Sequence, residues 1–338
     1  MGSGPFGRDT VQIDRKKELR ADLMLLIITL CWGVSYYLMD VSLTQLSTFT
    51  LNAYRFLGAF AVAVIFSLPR MRHMTKETLL AGLGIGAVLS FVYIGATVGV
   101  QNTTLSNSAF LCCTTVFFTP ILDFLIFRKR ASRKIVLAVV LSLIGIALMT
   151  LKDDFSFNMA HLKGDLFSLS CGVTYSLDII FTSRAVQNNK VDPYQMGVMS
   201  LGSCGLIMLV LACMTEMPIA HPTNGAVWFA VIFLSLFCTG MAFILQPIAQ
   251  QYTEASHVGI IFSLEPVFAG VTAFFLAGEV LTARGYIGEV LMIAALLFME
   301  IDFGALLSGR TKASESVNSM SAEELGGGAP AEKDNERR

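Results

Sequence analysis

The chain has 338 residues and a formal net charge of −1; 54% of its residues are hydrophobic and 14% charged, and the mean hydropathy is +0.65. Soluble globular domains carry about a quarter charged residues, so this composition excludes a water-covered globule and makes a lipid bilayer the expected surroundings. The near-zero balance leaves no basic footprint for nucleic acid.

The basic stretch Arg15, Lys16, Lys17 and Arg20 leads into a full-length apolar run, so residues 1–21 are expected to be a cytoplasmic N-terminal tail and not a cleaved leader. A helix needs about 20 mainly apolar residues to cross the hydrocarbon core. Spans of that kind fall near 22–40, 47–69, 78–98, 105–127 and 133–151, and again near 163–183, 194–214, 226–249, 255–277 and 284–307. Lipid leaves free backbone groups unsatisfied, which selects helices over open strands. Residues 152–162 are the expected extracytoplasmic linker. Residues 308–338, rich in Ser, Glu, Gly and Lys around Gly326–Gly328, are the expected disordered cytoplasmic tail. The expected fold is an all-α membrane protein of ten transmembrane helices.

Loop charges give the orientation. Arg70, Arg72 and Lys76 follow span 2; Arg128, Lys129, Arg130, Arg133 and Lys134 follow span 4; Arg184 and Lys190 follow span 6. The loops after spans 1, 3 and 7 carry no Lys or Arg. Both termini are therefore expected in the cytoplasm, with the chain in the cell (inner or plasma) membrane. Arg284 and the loop after span 8, which lacks Lys and Arg, run against the pattern. Cys31, Cys112, Cys113, Cys171, Cys204, Cys213 and Cys238 all sit in apolar runs, where Cys acts as a small hydrophobe. None has zinc-type spacing or a nearby His, so no metal or other cofactor is expected.

Span 1 reads Leu30-Cys31-Trp32-Gly33-Val34-Ser35-Tyr36, and span 6 reads Leu169-Ser170-Cys171-Gly172-Val173-Thr174-Tyr175. Spans 4 and 9 match more loosely, with eleven steps from Ala109 to Pro120 and eleven from Ala255 to Pro266. Two matches in order point to a duplication, 22–151 and 163–307. Five spans is an odd number, so the second copy enters the membrane inverted. Inverted repeats characterise secondary transporters, whose sites lie at the midplane where the repeats meet.

With Trp32-Gly33-x-Ser35-Tyr36 in span 1, Arg55-Phe56 in span 2, Glu265-Pro266 in span 9 and Gly278-Glu279 at its end, the chain resembles the drug/metabolite transporter superfamily, and within it the EamA-type ten-helix transporters. The likeness covers about 22–307. Span 4 departs from the pattern, with Thr119-Pro120 where span 9 has Glu265-Pro266 and with Arg128-Lys129-Arg130 at its end. The resemblance implies movement of small organic solutes, often amino acids or related metabolites and often outward.

Ionisable groups inside a bilayer are costly and mark functional hypotheses. Glu265 lies near the midplane beside Pro266, which is expected to kink the helix. It is read either as a substrate contact or proton-titrating group, or as a packing group that shapes the kink. Arg55 either clamps a substrate carboxylate or pairs structurally with Asp40 or Glu289; the structural pairing is the expectation. Asp178 is read as a coupling or structural charge; for it and Asp123 the expectation is pairing at the interface with Arg184 and Arg128, and for Glu300 and Asp302 with Arg310. His257 is expected to be a satisfied polar residue. Aromatic residues at helical spacing either pack or line the interface, but Trp32, Tyr36 and Tyr175 lie deeper than an interfacial belt and are read as a cavity wall for an amphipathic or aromatic solute; Tyr93 and Thr174 are grouped with them as expected substrate-binding residues. Gly82-x-Gly84-x-Gly86 and Gly95-x-x-x-Gly99 are expected to pack helices closely.

The leading expectation is a secondary carrier of small organic solutes by alternating access, with protons as one coupling ion open to it. A channel or membrane sensor would need a filter-like loop or polar pore helix, and an intramembrane enzyme an embedded catalytic set; no stretch reads as either. No Gly-x-x-x-x-Gly-Lys-Ser/Thr loop is present for ATP-driven transport by this chain alone.

Overall fold

A computed structural model describes residues 15–103, 108, 111–128, 133–150, 162–187, 190–277 and 283–300. Contacts separate 1–296 from 297–338, and of the latter only 297–300, the end of the last helix, are described. Gly278-Glu279, Lys129, Arg130, Asp302, Arg310, most of the linker and most of both tails lie outside the described residues, as do the side chains of Glu289 and Glu300.

The described elements are helical throughout: α1 (Arg15–Leu43), α2 (Thr48–Met71), α3 (Lys76–Asn102), α4 (Thr115–Phe127), α5 (Arg133–Thr150), α6 (Leu162–Val186) and α7 (Pro193–Thr215). Next comes α8, in which Gly225–Ser235 runs through a π-helical turn, Leu236–Met241, into Ala242–Ala249. Then follow α9, in two pieces (Ala255–Phe262 and Glu265–Thr272), and α10 (Ala283–Glu300). Among the described residues, seven helical runs are long and apolar enough to cross a membrane. Phe66, Phe275, Met214 and Ile65 are more than two-thirds exposed; apolar rings and chains left outside on this scale suit a lipid surface.

Helix starts follow from local chemistry. Thr75, Asp192 and Asn224 each cap a helix, their side chains accepting from the amides of Thr78, Gln195 and Val227. Pro193 occupies the first turn of α7, where its missing N–H costs nothing. The expected kink at Pro266 is instead a break at Ser263–Leu264, before Glu265. Pro266 therefore stands in the first turn of the second piece, where no partner carbonyl is lost, and the Glu265 carboxylate sits at the positive end of that piece.

Small residues set the packing. An alanine Cβ at Gly86 would lie 2.5 Å from Ser200 O, and one at Gly82 2.9 Å from Met196 O, so α3 presses on α7. At Gly95 a Cβ would lie 2.8 Å from Phe167 O, which brings α3 equally close to α6. Gly84 meets nothing within 4 Å and takes no part. The matched glycines of the two similar segments do the same work: Gly33 on α1 lies under Phe268 of α9, and Gly172 on α6 lies against Leu111 and Thr114 before α4.

Polar ties close both ends of the bundle. At the end where α1 begins, Arg70 of α2 pairs with Asp192 of α7 at 2.8 Å, Arg184 of α6 with Asp123 of α4 at 3.2 Å, and His257 of α9 lies 3.5 Å from Asp22 of α1. At the opposite end, Glu216 after α7 accepts from the amides of Phe49 and Thr50 at 2.9 and 2.8 Å, and Thr103 donates to Asp165 at 2.6 Å.

Candidate functional site

A chamber lies midway along the bundle, walled by α1, α2, α3, α6, α8, α9 and the turn before α4. The chamber is tight, a cavity of about 70 Å³. Four rings form one side of the wall. Trp32 lies 5.6 Å from Tyr175 (edge to face), 5.7 Å from Phe243 and 4.8 Å from Phe262, and Tyr175 stacks on Phe262 at 6.0 Å. Phe56 and Tyr93 meet edge to face at 4.7 Å.

Trp32 is held in place by the π turn of α8. Within that turn the Trp32 indole N–H donates to the Cys238 carbonyl at 2.9 Å. The same turn presents Thr239, whose hydroxyl accepts from Arg55 Nε at 3.1 Å. Arg55 is 1% exposed, and Nη1 lies 3.1 Å from the Met39 sulfur. Its guanidinium sits over the Tyr93 ring, 4.9 Å from the centroid. Among the described residues it forms no ion pair, and Asp40, one of its two expected partners, is exposed. The expected structural pairing with Asp40 is therefore absent: α1 turns Asp40 away while its Met39 faces Arg55.

Glu265 contributes the chamber's carboxylate, with the Tyr36 hydroxyl within hydrogen-bonding reach. Tyr93 lies within the electrostatic influence of both Arg55 and Glu265. The chamber thus carries a guanidinium on α2 and a carboxyl group on α9 together with aromatic side chains.

Of the residues picked out by sequence, Trp32, Tyr36, Tyr93, Tyr175, Glu265 and Arg55 all line the chamber. Thr174 does not: its hydroxyl bonds back to Ser170 O and Cys171 O of its own helix. Its counterpart Ser35 is on the wall, as are Phe243, Phe262, Cys112, Cys113 and Thr115. Thr119, aligned with Glu265 by the repeat match, is buried and bonds to Thr115 O. Asp178 is buried one turn beyond Tyr175 and outside the chamber. The expected Asp178–Arg184 pair is not formed, because Arg184 goes to Asp123; for the same reason Asp123 does not pair with Arg128. His257 is ion-paired at 3.5 Å with Asp22 if protonated, in agreement with a satisfied polar residue.

Apolar helices of membrane-crossing length around an internal chamber are the features of a polytopic membrane protein. The model of the EamA-like transporter family matches residues 19–151 and 162–301, and the chain belongs to that family of transporters, within the drug/metabolite transporter superfamily. It is 26% identical over 285 residues to an uncharacterized transporter of Archaeoglobus fulgidus, covering 84% of this chain and 87% of that one. It is 22% identical over 290 residues to a probable amino-acid metabolite efflux pump of Salmonella typhimurium, covering 81% and 92%. A crystal structure of a protein sharing 16% identity superposes with a TM-score of 0.70, over 87% of this chain and 99% of the other, which is a likeness of fold.

Proposed function

We propose that this transporter is a secondary carrier that moves amino acids or closely related zwitterionic metabolites across the cell membrane, outward in the cell. The observation that carries the reading is the pairing, in one chamber, of the buried Arg55 guanidinium with the Glu265 carboxylate across aromatic walls. A guanidinium with uncommitted N–H groups takes a carboxylate, a carboxylate takes an ammonium, and the rings Trp32, Tyr36, Tyr93 and Tyr175 take an apolar side chain. The efflux direction is drawn from the name of the Salmonella relative. The solute passes by alternating access between two five-helix repeats, 22–151 and 163–307, inserted in opposite senses with both termini in the cytoplasm. The two stretches matched by the family model support the duplication. The reciprocal seats of Gly33 on α9 and Gly172 before α4 support an interlocked pair.

The test is counterflow in proteoliposomes preloaded with unlabelled amino acids, read as transient accumulation of labelled ones. Saturable counterflow for solutes with both a free carboxylate and a free amine, reduced at least tenfold in apparent affinity by Glu265→Gln, is expected. A non-saturating ionic current would overturn the carrier. Equal handling of solutes that lack the amine, with Glu265→Gln unchanged, would leave Glu265 a packing residue.

A further inference from the structure

Beyond the chamber wall lies a second set of buried polar groups, formed where α6 packs on the last two turns of α8. Asp178 and Thr182 share one face of α6, and Gln246 and Gln250 bracket the facing end of α8. All four are at most 1% exposed. Asp178 Oδ1, Thr182 Oγ1, Gln250 Oε1 and Gln246 Nε2 have no hydrogen-bond partner of good geometry among the described residues. Gln246 is tied to the chamber, since its Oε1 accepts from the Tyr175 hydroxyl at 3.1 Å, and its amide lies beside Asp178. Gln250 Nε2 reaches Ile179 O at 3.4 Å, which closes the pair of helices below Asp178.

No described cation neutralises Asp178. Arg184, the cation nearest in its own helix, is committed to Asp123 at 3.2 Å and stacks on Phe127. The titratable groups linked electrostatically to Asp178 are Tyr175 on its own helix and Cys204 on α7. Of the other helices on α6, α3 carries Lys76 and Glu77 at its start and Tyr93 at the chamber. α4 carries Asp123, already paired, and α9 carries His257 beside Asp22 and Glu265 in the chamber. α8 presents only the neutral Gln246 and Gln250 in this region. A bare carboxylate so placed is costly, and a proton is the simplest group that relieves it.

We propose that Asp178 is the proton-binding group that couples solute movement to a proton gradient, and that Gln246 and Tyr175 carry its state to the chamber wall. Protonation adds one H⁺ from water to Asp178 Oδ1 and forms one O–H bond; release breaks that bond and returns the proton to water, with no electron transferred. The carboxylate draws the Gln246 amide N–H toward it, and the neutral carboxyl lets it go. Gln246 Oε1 holds the Tyr175 hydroxyl, so this change shifts a ring packed on Trp32 and Phe262. Gln246 and Tyr175 are positioning residues in this scheme, and the transport half of it rests on the carrier reading above.

The experiment is an infrared titration of the purified full-length protein, followed by flux in proteoliposomes, with Asp178→Asn, Asp178→Glu and Glu265→Gln alongside wild type. A protonated-carboxyl C=O band is expected to appear as pH falls, to vanish in Asp178→Asn, to return shifted in Asp178→Glu, and to persist in Glu265→Gln. In liposomes, Asp178→Asn is expected to keep solute counterflow and to lose pH-gradient-driven flux, while Asp178→Glu restores part of it. A band unchanged in Asp178→Asn, or pH-driven flux retained by that variant, overturns the proposal. Flux driven by a Na⁺ gradient and indifferent to pH overturns it too. If wild type moves no solute, the carrier reading fails while the infrared titration still decides whether Asp178 binds the proton.

Discussion

Arg55→Met is the most discriminating single change, because the structural and functional readings of this residue predict opposite signs. The guanidinium has five N–H donors. Among the described residues, Nε serves Thr239, Nη1 meets the Met39 sulfur, and the plane rests on Tyr93. The remaining donors are free for a solute carboxylate in the chamber that Arg55 lines. Hydrogen bonds to a charged group contribute about 1.5–3 kcal/mol, equivalent to about 10- to 150-fold in affinity. Methionine keeps the chain's bulk and its contact with Tyr93, and it removes a buried charge that has no described counter-ion. Folding stability should hold or rise, since apolar replacement of buried charge is neutral or stabilising. Had Arg55 instead been half of a structural pair, the orphaned acid would cost about 3–5 kcal/mol. The assay measures counterflow affinity for an amino acid and for its methyl ester, together with thermal unfolding in detergent. Loss for the free acid, little change for the ester and an undiminished melting temperature are expected. Equal loss for acid and ester, or a large fall in melting temperature, would refute the carboxylate clamp.

Two further changes test the scaffold. Glu216→Ala removes a carboxylate from the α7 end that receives the Phe49 and Thr50 amides and the Thr50 hydroxyl, capping α2 from another helix; a loss of about 1–2 kcal/mol is expected in thermal or denaturant unfolding. Gly86→Ala and Gly84→Ala should differ in sign. Alanine is favoured over glycine in a helix by about 1 kcal/mol, and Gly84, which meets nothing within 4 Å, should gain part of it. At Gly86 the new Cβ would fall 2.5 Å from Ser200 O and 2.6 Å from Ser203 Cβ, so overpacking of about 1–3 kcal/mol should outweigh the propensity gain.

Much of the chamber was legible because charge and aromatic rings at mid-membrane depth stand out against an apolar background. Arg55, Glu265, Trp32, Tyr36, Tyr93 and Tyr175 all reached the wall on that signal. Phe243 and Phe262 did not stand out, being two of 25 phenylalanines in helices whose lipid-facing and inward faces are both apolar. In water, periodicity would have separated those faces; in lipid it does not. Thr174 was drawn in by its match to Ser35, yet a threonine hydroxyl in a helix has carbonyls of the preceding turn within reach and here takes them. Spacing alone could not choose between Asp123 and Asp178 as the partner of Arg184, because both lie near the same end of neighbouring helices. The break at Ser263–Leu264 had no signal of its own, and Pro266 marked it three residues late.

The ties at the bundle ends constrain how a chamber of this kind can open. α2 and α7 are joined at both ends, by Arg70–Asp192 on one side and by Glu216 on the Phe49 and Thr50 amides on the other. On the proposed duplication the joined helices belong to different repeats, as do α4 and α6 across Asp123–Arg184 and α1 and α9 across Asp22–His257. A motion that separated the repeats wholesale would break every one of these contacts and lift Gly33 and Gly172 from their seats. A motion that carries α2 with α7 breaks fewer, because its strongest links travel with it. Under the proposed alternating access, these ties favour mixed groups of helices, one from each proposed repeat, moving together. Under that proposal, the α1–α9 contact at Asp22–His257 and the ring packing of Trp32 on Phe262 mark one seam whose loosening would connect the chamber to the side where α1 begins.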